Sequence, residues 1–276
     1  ATYNTYLFSF IKSHLRKNKN ISFIKIDLSK KKIKVKKKFD LIFHCAGYGQ
    51  PSKFMRMKST TYKLNSQTLM DLKENLKKSG KFIYMSTTEI YSGNTKICSE
   101  TSVGKTNTLH PRSSYIDSKK FGESFIINCI NKFIIFRVCL AYGPGTKLND
   151  ERVINEVILR SIRNKQIDVY GGLNQLRSNL YIEDAILMMI KATTKSLNEI
   201  YNINNHLMTT LGSMFSLISK ISKKKLIKHK SKIIGSPNII KISNKKILKL
   251  AKYRISTNLK KGLIKTIDWY SNLIEL

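Results

Sequence analysis

Short apolar runs that stop abruptly at small or hydroxyl residues set the tightest limit on how this chain folds. Phe39-Asp40-Leu41-Ile42-Phe43-His44 ends at Cys45-Ala46-Gly47, and Lys81-Phe82-Ile83-Tyr84-Met85-Ser86 ends at Thr87. Phe133 to Cys139 is a third such run, shortly before a Gly143-Pro144-Gly145 turn. They fit buried parallel strands whose carboxyl ends meet a ligand. Between them, helical apolar spacing covers Thr61 to Lys78, closed by Gly80, and Ser113 to Asn131. Upstream, a helix is predicted over Thr2 to Leu15 and a strand over Ile21 to Ile26, ending at Asp27. Lys30 to Lys38 reads as a loop or a short solvated helix. Strand alternating with helix predicts an α/β fold, a parallel sheet covered on both faces.

From about Tyr142 the pattern changes. A helix is expected over Arg152 to Asn164, a short strand over Ile167 to Tyr170 and a helix over Ile182 to Thr193. Met214 to Leu276 reads as small helices around a loop at Gly235-Ser236-Pro237. The expected organisation is a sheet domain over residues 1–141 and a smaller lobe over 142–276, with some lobe segments returning to the sheet. No internal repeat is visible.

No apolar run reaches the roughly 18 residues of a membrane span, and the first residues lack the order of a secretory signal. The four cysteines, Cys45, Cys98, Cys129 and Cys139, form no C-x-x-C pair. That spacing argues against a metal site and fits a reducing, cytoplasmic compartment. The formal net charge is +34. Its lysines are dispersed, whereas base-reading surfaces cluster arginine with aromatics, so no specific nucleic-acid partner is expected. A basic nucleic-acid-binding protein or a non-catalytic relative are the readings from other classes. Pyrophosphate-bearing substrates are attracted to such a surface in either case.

The residues with the clearest chemistry are Tyr115 and Lys119. Four positions apart in a predicted helix, they share one face. A phenol of pKa about 10 is a poor base at neutral pH, and a nearby ammonium lowers that value. The pair is therefore a candidate general base for an alcohol proton. A Y-x-x-x-K match alone is weak in a lysine-rich chain. Ser86-Thr87-Thr88-Glu89, at the end of an apolar strand, adds a hydroxyl for the same substrate oxygen, although these residues equally suit helix capping.

The order of these segments resembles the extended short-chain dehydrogenase/reductases, and within them the NAD-dependent epimerases, dehydratases and decarboxylases of nucleotide sugars. Ser86-Thr87-Thr88-Glu89-Ile90-Tyr91 is similar to the S-T-x-E-x-Y signature, and Pro111-Arg112-Ser113-Ser114-Tyr115 with Lys119 to P-R-x-x-Y-x-x-x-K. Arg137 with Tyr142-Gly143-Pro144 matches R-x-x-x-x-Y-G-P. Val169-Tyr170-Gly171, Gln175-Leu176-Arg177-Ser178 and Tyr181-Ile182-Glu183-Asp184 continue the series in family order.

The resemblance implies a Rossmann-like doubly wound sheet, NAD as cofactor, a nucleotide-sugar substrate and a homodimer. It implies catalytic roles for Tyr115, Lys119, Thr87 and Glu89. Asp27 and Leu28 would contact the cofactor's adenine, Cys45, Ala46 and Gly47 would pass beneath its adenosine half, and Tyr115 with Lys119 would face its nicotinamide ribose. Thr88, Arg112, Arg152, Tyr170 and Arg177 would contact the substrate. UDP-glucuronate decarboxylases look most similar, with 4-epimerases and 4,6-dehydratases as alternatives. The dehydratases usually carry aspartate where this chain has Thr88.

Two departures stand out. The family opens with a strand, G-x-x-G-x-x-G and a helix, but the first glycine here is Gly47. The expectation is a fragment without that segment, the alternative a degenerate relative with poor NAD binding. Leu140 stands where related enzymes often place asparagine, which puts the sugar or its pose in question.

Overall fold

The computed structural model describes residues 18–33, 35–164, 166–229 and 241–274. In chain order, β1 (Phe39–His44) leads through the short helices α1 (Pro51–Arg56), α2 (Lys58–Asn65) and α3 (Gln67–Lys73) to β2 (Leu76–Thr87). A 3₁₀ turn (Thr88–Tyr91), the long helix α4 (Ser113–Cys129) and β3 (Phe133–Val138) follow. Then come β4 (Leu140–Tyr142), α5 (Val153–Arg163), β5 (Gln166–Tyr170), β6 (Leu176–Tyr181) and α6 (Ile182–Lys195). The remainder is β7 (Glu199–Ile203), β8 (Met208–Thr210), α7 (Leu211–Ser222), β9 (Lys225–His229), α8 (Lys245–Ala251) and α9 (Leu259–Ile274).

The main sheet is parallel, in the order β1-β2-β3-β7. Alternation along β2 and β3 feeds two cores. Phe82, Tyr84 and Ile135 join Leu69, Leu72 and Ile126 of the α3 and α4 side. Ile83, Ile134 and Phe136 join Ala185, Met188 and Ile247 of the α6 and α8 side. Burying each of these side chains stabilises the fold by roughly 1.5–3 kcal/mol. This is the expected doubly wound Rossmann-like arrangement. A third core, around Ile154, Ile158, Ile167, Phe215, Leu263 and Tyr270, knits α5, β5, α7 and α9 together. Beside it lie a small mixed sheet, β4-β6-β8, and the pair β5-β9. No helix among the described residues is long and apolar enough to cross a membrane.

Several expectations need correction. Ile21–Ile26 is irregular, not a strand. Among the described strands β1 bonds only β2, so nothing beside this segment completes a ladder for it. The helix expected over Thr61 to Lys78 is broken at Ser66 and gives way at Leu76 to β2, which continues past Gly80 with a shift of register against β1. Pairing of Leu76 with Phe39 extends that strand past its polar Lys-Lys-Ser-Gly stretch. The strands β4, β6, β7, β8 and β9 were not anticipated. The segment Thr2 to Leu15 and the Gly235-Ser236-Pro237 loop lie outside the described residues.

Candidate active site

Helix α4 seats unusually close to β2. At Gly122 an added Cβ would collide with the Tyr84 phenol oxygen, so only glycine permits this approach. The close seat brings Tyr115 and Lys119 to the carboxyl end of β2, where both are buried, at 8% and 6% exposure.

The Thr87 side chain lies near enough to the Tyr115 hydroxyl to lower its pKa. Thr87 also accepts the Glu89 amide at 3.2 Å, so it caps the 3₁₀ turn as well. Burial pushes the Tyr115 pKa up and the Glu89 charge adds to this, while Thr87, Arg112 and Arg152 pull it down. Phe54 of α1 lies flat on the phenol ring, with centroids 4.3 Å apart and 6° between planes.

Lys119 reaches the main chain near the end of β2. Its ammonium donates to the Met85 carbonyl at 2.7 Å and sits 4.8 Å from the Tyr84 ring centroid. Burial lowers its pKa to about 8, opposed by Cys45 and Glu123. The groups that most acidify Tyr115 are thus Thr87 and two arginines, not this ammonium.

A cavity of 480 Å³ opens beside the turn. Thr88, Glu89, Arg112, Arg152, Tyr170 and Arg177 all line it, although they come from five separate segments. Its size is that of a small-molecule site. Arg112 pairs with Glu89 at 2.8 Å, which leaves Glu89 Oε2 buried without a hydrogen-bond partner among the described residues. Arg152 forks onto Asp150 at 2.9 and 3.1 Å, and Arg177 donates to Gln175 at 2.6 Å. Burial and the charge of Arg112 lower the Arg177 pKa. Tyr170 stacks on His229, 4.7 Å between centroids, and His229 bonds Asp168 at 2.7 Å.

Three of the residues expected around the cofactor meet at a separate space of 270 Å³. Leu28, Cys45 and Ala46 line it together with Leu41 and Phe43. Asp27 lies at the surface, its carboxylate accepting from the amide and hydroxyl of Ser29 at 3.0 and 2.6 Å. Gly47 passes next to Lys119, since a Cβ there would sit 3.7 Å from Nζ. His44, buried at the end of β1, has its pKa lowered by burial to about 4. No group of three or more metal-ligating side chains occurs among the described residues.

Sequence reasoning missed Phe54, Arg160, Asp168, His229 and Glu123, and it gave Arg137 only as part of the R-x-x-x-x-Y-G-P match, without its ion pair to Glu123. Only Glu123 carried a usable signal, since positions 115, 119 and 123 fall on one helix face.

A parallel sheet with a Tyr-x-x-x-Lys helix against its strand ends is the architecture of dinucleotide-using enzymes. The chain belongs to the NAD dependent epimerase/dehydratase family, whose sequence profile matches residues 9–204. It is 24% identical over 244 residues to UDP-glucuronic acid decarboxylase 1 of Xenopus tropicalis, covering 86% of this chain and 58% of that protein. It is 28% identical over 207 residues to dTDP-D-glucose 4,6-dehydratase of Dictyostelium discoideum, covering 70% and 45%. The chain thus spans about half the length of these curated relatives, which are enzymes. In fold it is similar to UDP-glucuronic acid 4-epimerase of Bacillus cereus, solved with UDP-glucuronic acid and NAD. The TM-score is 0.80 at 24% identity, covering 97% of this chain and 87% of that one.

Proposed function

We propose that this chain carries the acid–base and substrate-side residues of an NAD-dependent enzyme that transiently oxidises C4 of a nucleotide sugar. The specific reaction we propose is decarboxylation of UDP-glucuronate to UDP-xylose. The observation that carries the reading is the convergence of Thr88, Glu89, Arg112, Arg152, Tyr170 and Arg177 on one cavity beside the turn that follows Thr87, the residue that lowers the Tyr115 pKa.

The groups present fit the nicotinamide-ribose end of NAD, with the Lys119 ammonium next to the side-chain-free Gly47. Cys45, Ala46, Leu28 and Asp27 would hold the remainder. Bound there, NAD supplies a reversible hydride acceptor. In this reading Tyr115 takes the C4 hydroxyl proton and returns it at the end, and Thr87 orients that hydroxyl. The phenol is neutral at rest, so removal of the proton leans on Thr87, Arg112 and Arg152 to carry the developing negative charge. A carboxylate beta to the C4 ketone is then lost as carbon dioxide, its bond electrons passing to the ketone oxygen. Protonation at C5 gives the 4-keto pentose, and return of the hydride to C4 as Tyr115 gives back its proton would complete the balance to UDP-xylose with the cofactor unchanged. Glu89 and Thr88 are placed to orient the sugar, while Arg152 and Arg177 present fixed donors to the diphosphate.

A second reading is 4-epimerisation, favoured by the fold match to an epimerase. Incubation with UDP-glucuronate and NAD discriminates the two. Carbon dioxide and a UDP-pentose support decarboxylation, a UDP-hexuronate isomer supports epimerisation, and no turnover of any nucleotide sugar overturns both.

A further inference from the structure

A buried ionic cluster lies behind the candidate acid–base residues, and the proposed chemistry does not use it. Glu123 is 5% exposed and Arg137, on β3, is 7% exposed. The guanidinium grips both carboxylate oxygens, with Nε at 3.0 and 3.2 Å and Nη2 at 2.6 Å. Its Nη1 reaches the Tyr91 phenol and the Glu100 carbonyl, each at 2.7 Å. Tyr91 in turn donates to Asn202 of β7 at 2.7 Å. Ser86, the residue before Thr87, donates to Glu123 at 2.5 Å. The cluster therefore grips both ends of the segment that carries Thr87, Thr88 and Glu89.

Glu123 also sits one helical turn beyond Lys119 on the same buried face of α4. The other polar groups around that ammonium are the Met85 carbonyl, Cys45, the Tyr84 ring and His44, which burial keeps neutral near pH 7. Glu123 is the one carboxylate in this set. An ammonium so buried keeps its proton only if a nearby negative charge offsets its lost hydration.

We propose that Glu123, clamped by Arg137, is a positioning residue that keeps Lys119 charged and holds the Ser86–Tyr91 segment in register with Tyr115. Its link to catalysis rests on the reading of Tyr115 and Lys119 as the acid–base pair, but its electrostatic content does not.

The test uses the whole chain without substrate. Lys119 reactivity toward a soluble amine acylating reagent is followed from pH 6 to 10, with the Lys119 peptide quantified by mass spectrometry. Glu123→Gln should raise its labelling near pH 7 on the order of tenfold, because the neutral amine becomes more populated. Arg137 left unpaired in that variant endangers folding, so Glu123→Gln/Arg137→Met is measured beside it and should show the same direction of change. Ser86→Ala loses the hydrogen bond but keeps the charge, and should leave the labelling curve in place. An unchanged curve in both Glu123 variants overturns the proposal, as does an equal displacement in Ser86→Ala. If the curve moves as expected in a chain that turns over no nucleotide sugar, the functional reading fails and the electrostatic role stands. If turnover is present, Glu123→Gln should lower kcat more than it raises KM and move the alkaline limb of the rate profile to lower pH.

Discussion

The space beside the turn after β2 and the space along β1 are built in opposite ways. The 480 Å³ cavity is closed by segments distant in the chain, and its walls carry arginines already oriented by carboxylate or amide partners. The 270 Å³ groove is made from β1 and its immediate neighbours, and its lining is largely apolar. β1 borders the sheet on that side, with Leu41 42% and Phe43 49% exposed. Preorganised polar groups need support from several directions, and the first space has it. The second offers surface but few donors for a phosphate. Among the described residues, the braced charged donors thus lie on the first space.

The sharpest way to probe this contrast is at Tyr115, the candidate base. Tyr115→Phe is expected to lower turnover of the nucleotide sugar about 10²–10⁴-fold, with its dissociation constant by calorimetry changed less than about threefold. Equal losses in both would make Tyr115 a wall of the cavity. Next in size is the difference between ligands. UDP-glucuronate should bind the chain roughly a hundredfold more tightly than NAD, since charge-assisted hydrogen bonds contribute about 1.5–3 kcal/mol each and the groove presents few. Comparable affinities would break the comparison. Arg177→Ala should weaken UDP-glucuronate by about ten- to thirtyfold and leave NAD unaffected.

The smallest expected effect is on stability. The folded-state pKa of Lys119 is lowered from 10.5 to about 8. The unfolded chain therefore holds a proton that the folded chain releases between those values, and stability contributed by this group rises with pH across that window. Below about pH 8 the buried ammonium is a standing cost. Urea denaturation at pH 7.5 and 9.5 should show this rise, on the order of 1–2 kcal/mol after allowance for relaxation, and Lys119→Met should lack it. A parallel pH dependence in that variant assigns the rise to another group.

Much of the sheet domain was legible because its strands are apolar on both faces and end at small residues. Tyr115 was legible because spacing along a helix fixes direction, and Thr87 because a strand end does, whereas the arginines were reached only through the family resemblance. What escaped depended on partners far away in the chain. Ile21–Ile26 has strand-like residues but no ladder beside it. Lys77, Lys78 and Gly80 look like a helix end, yet the pairing of Leu76 with Phe39 draws them into β2. β9 is rich in lysine and owes its form to pairing with β5. The direction of Lys119 depended on the Met85 carbonyl, which no local pattern reveals.

The paired charges inside the cavity also bear on how the molecule selects its cargo. With a net charge of +34, its exterior draws in polyanions of every kind, and added salt weakens that pull. The interior does not share the excess, since Glu89 and Asp150 hold Arg112 and Arg152 in place. Capture and choice are therefore separate acts. On the proposed function, the outer field would set how often a phosphorylated molecule arrives, and the braced guanidiniums would decide, by shape and at short range, which visitor stays.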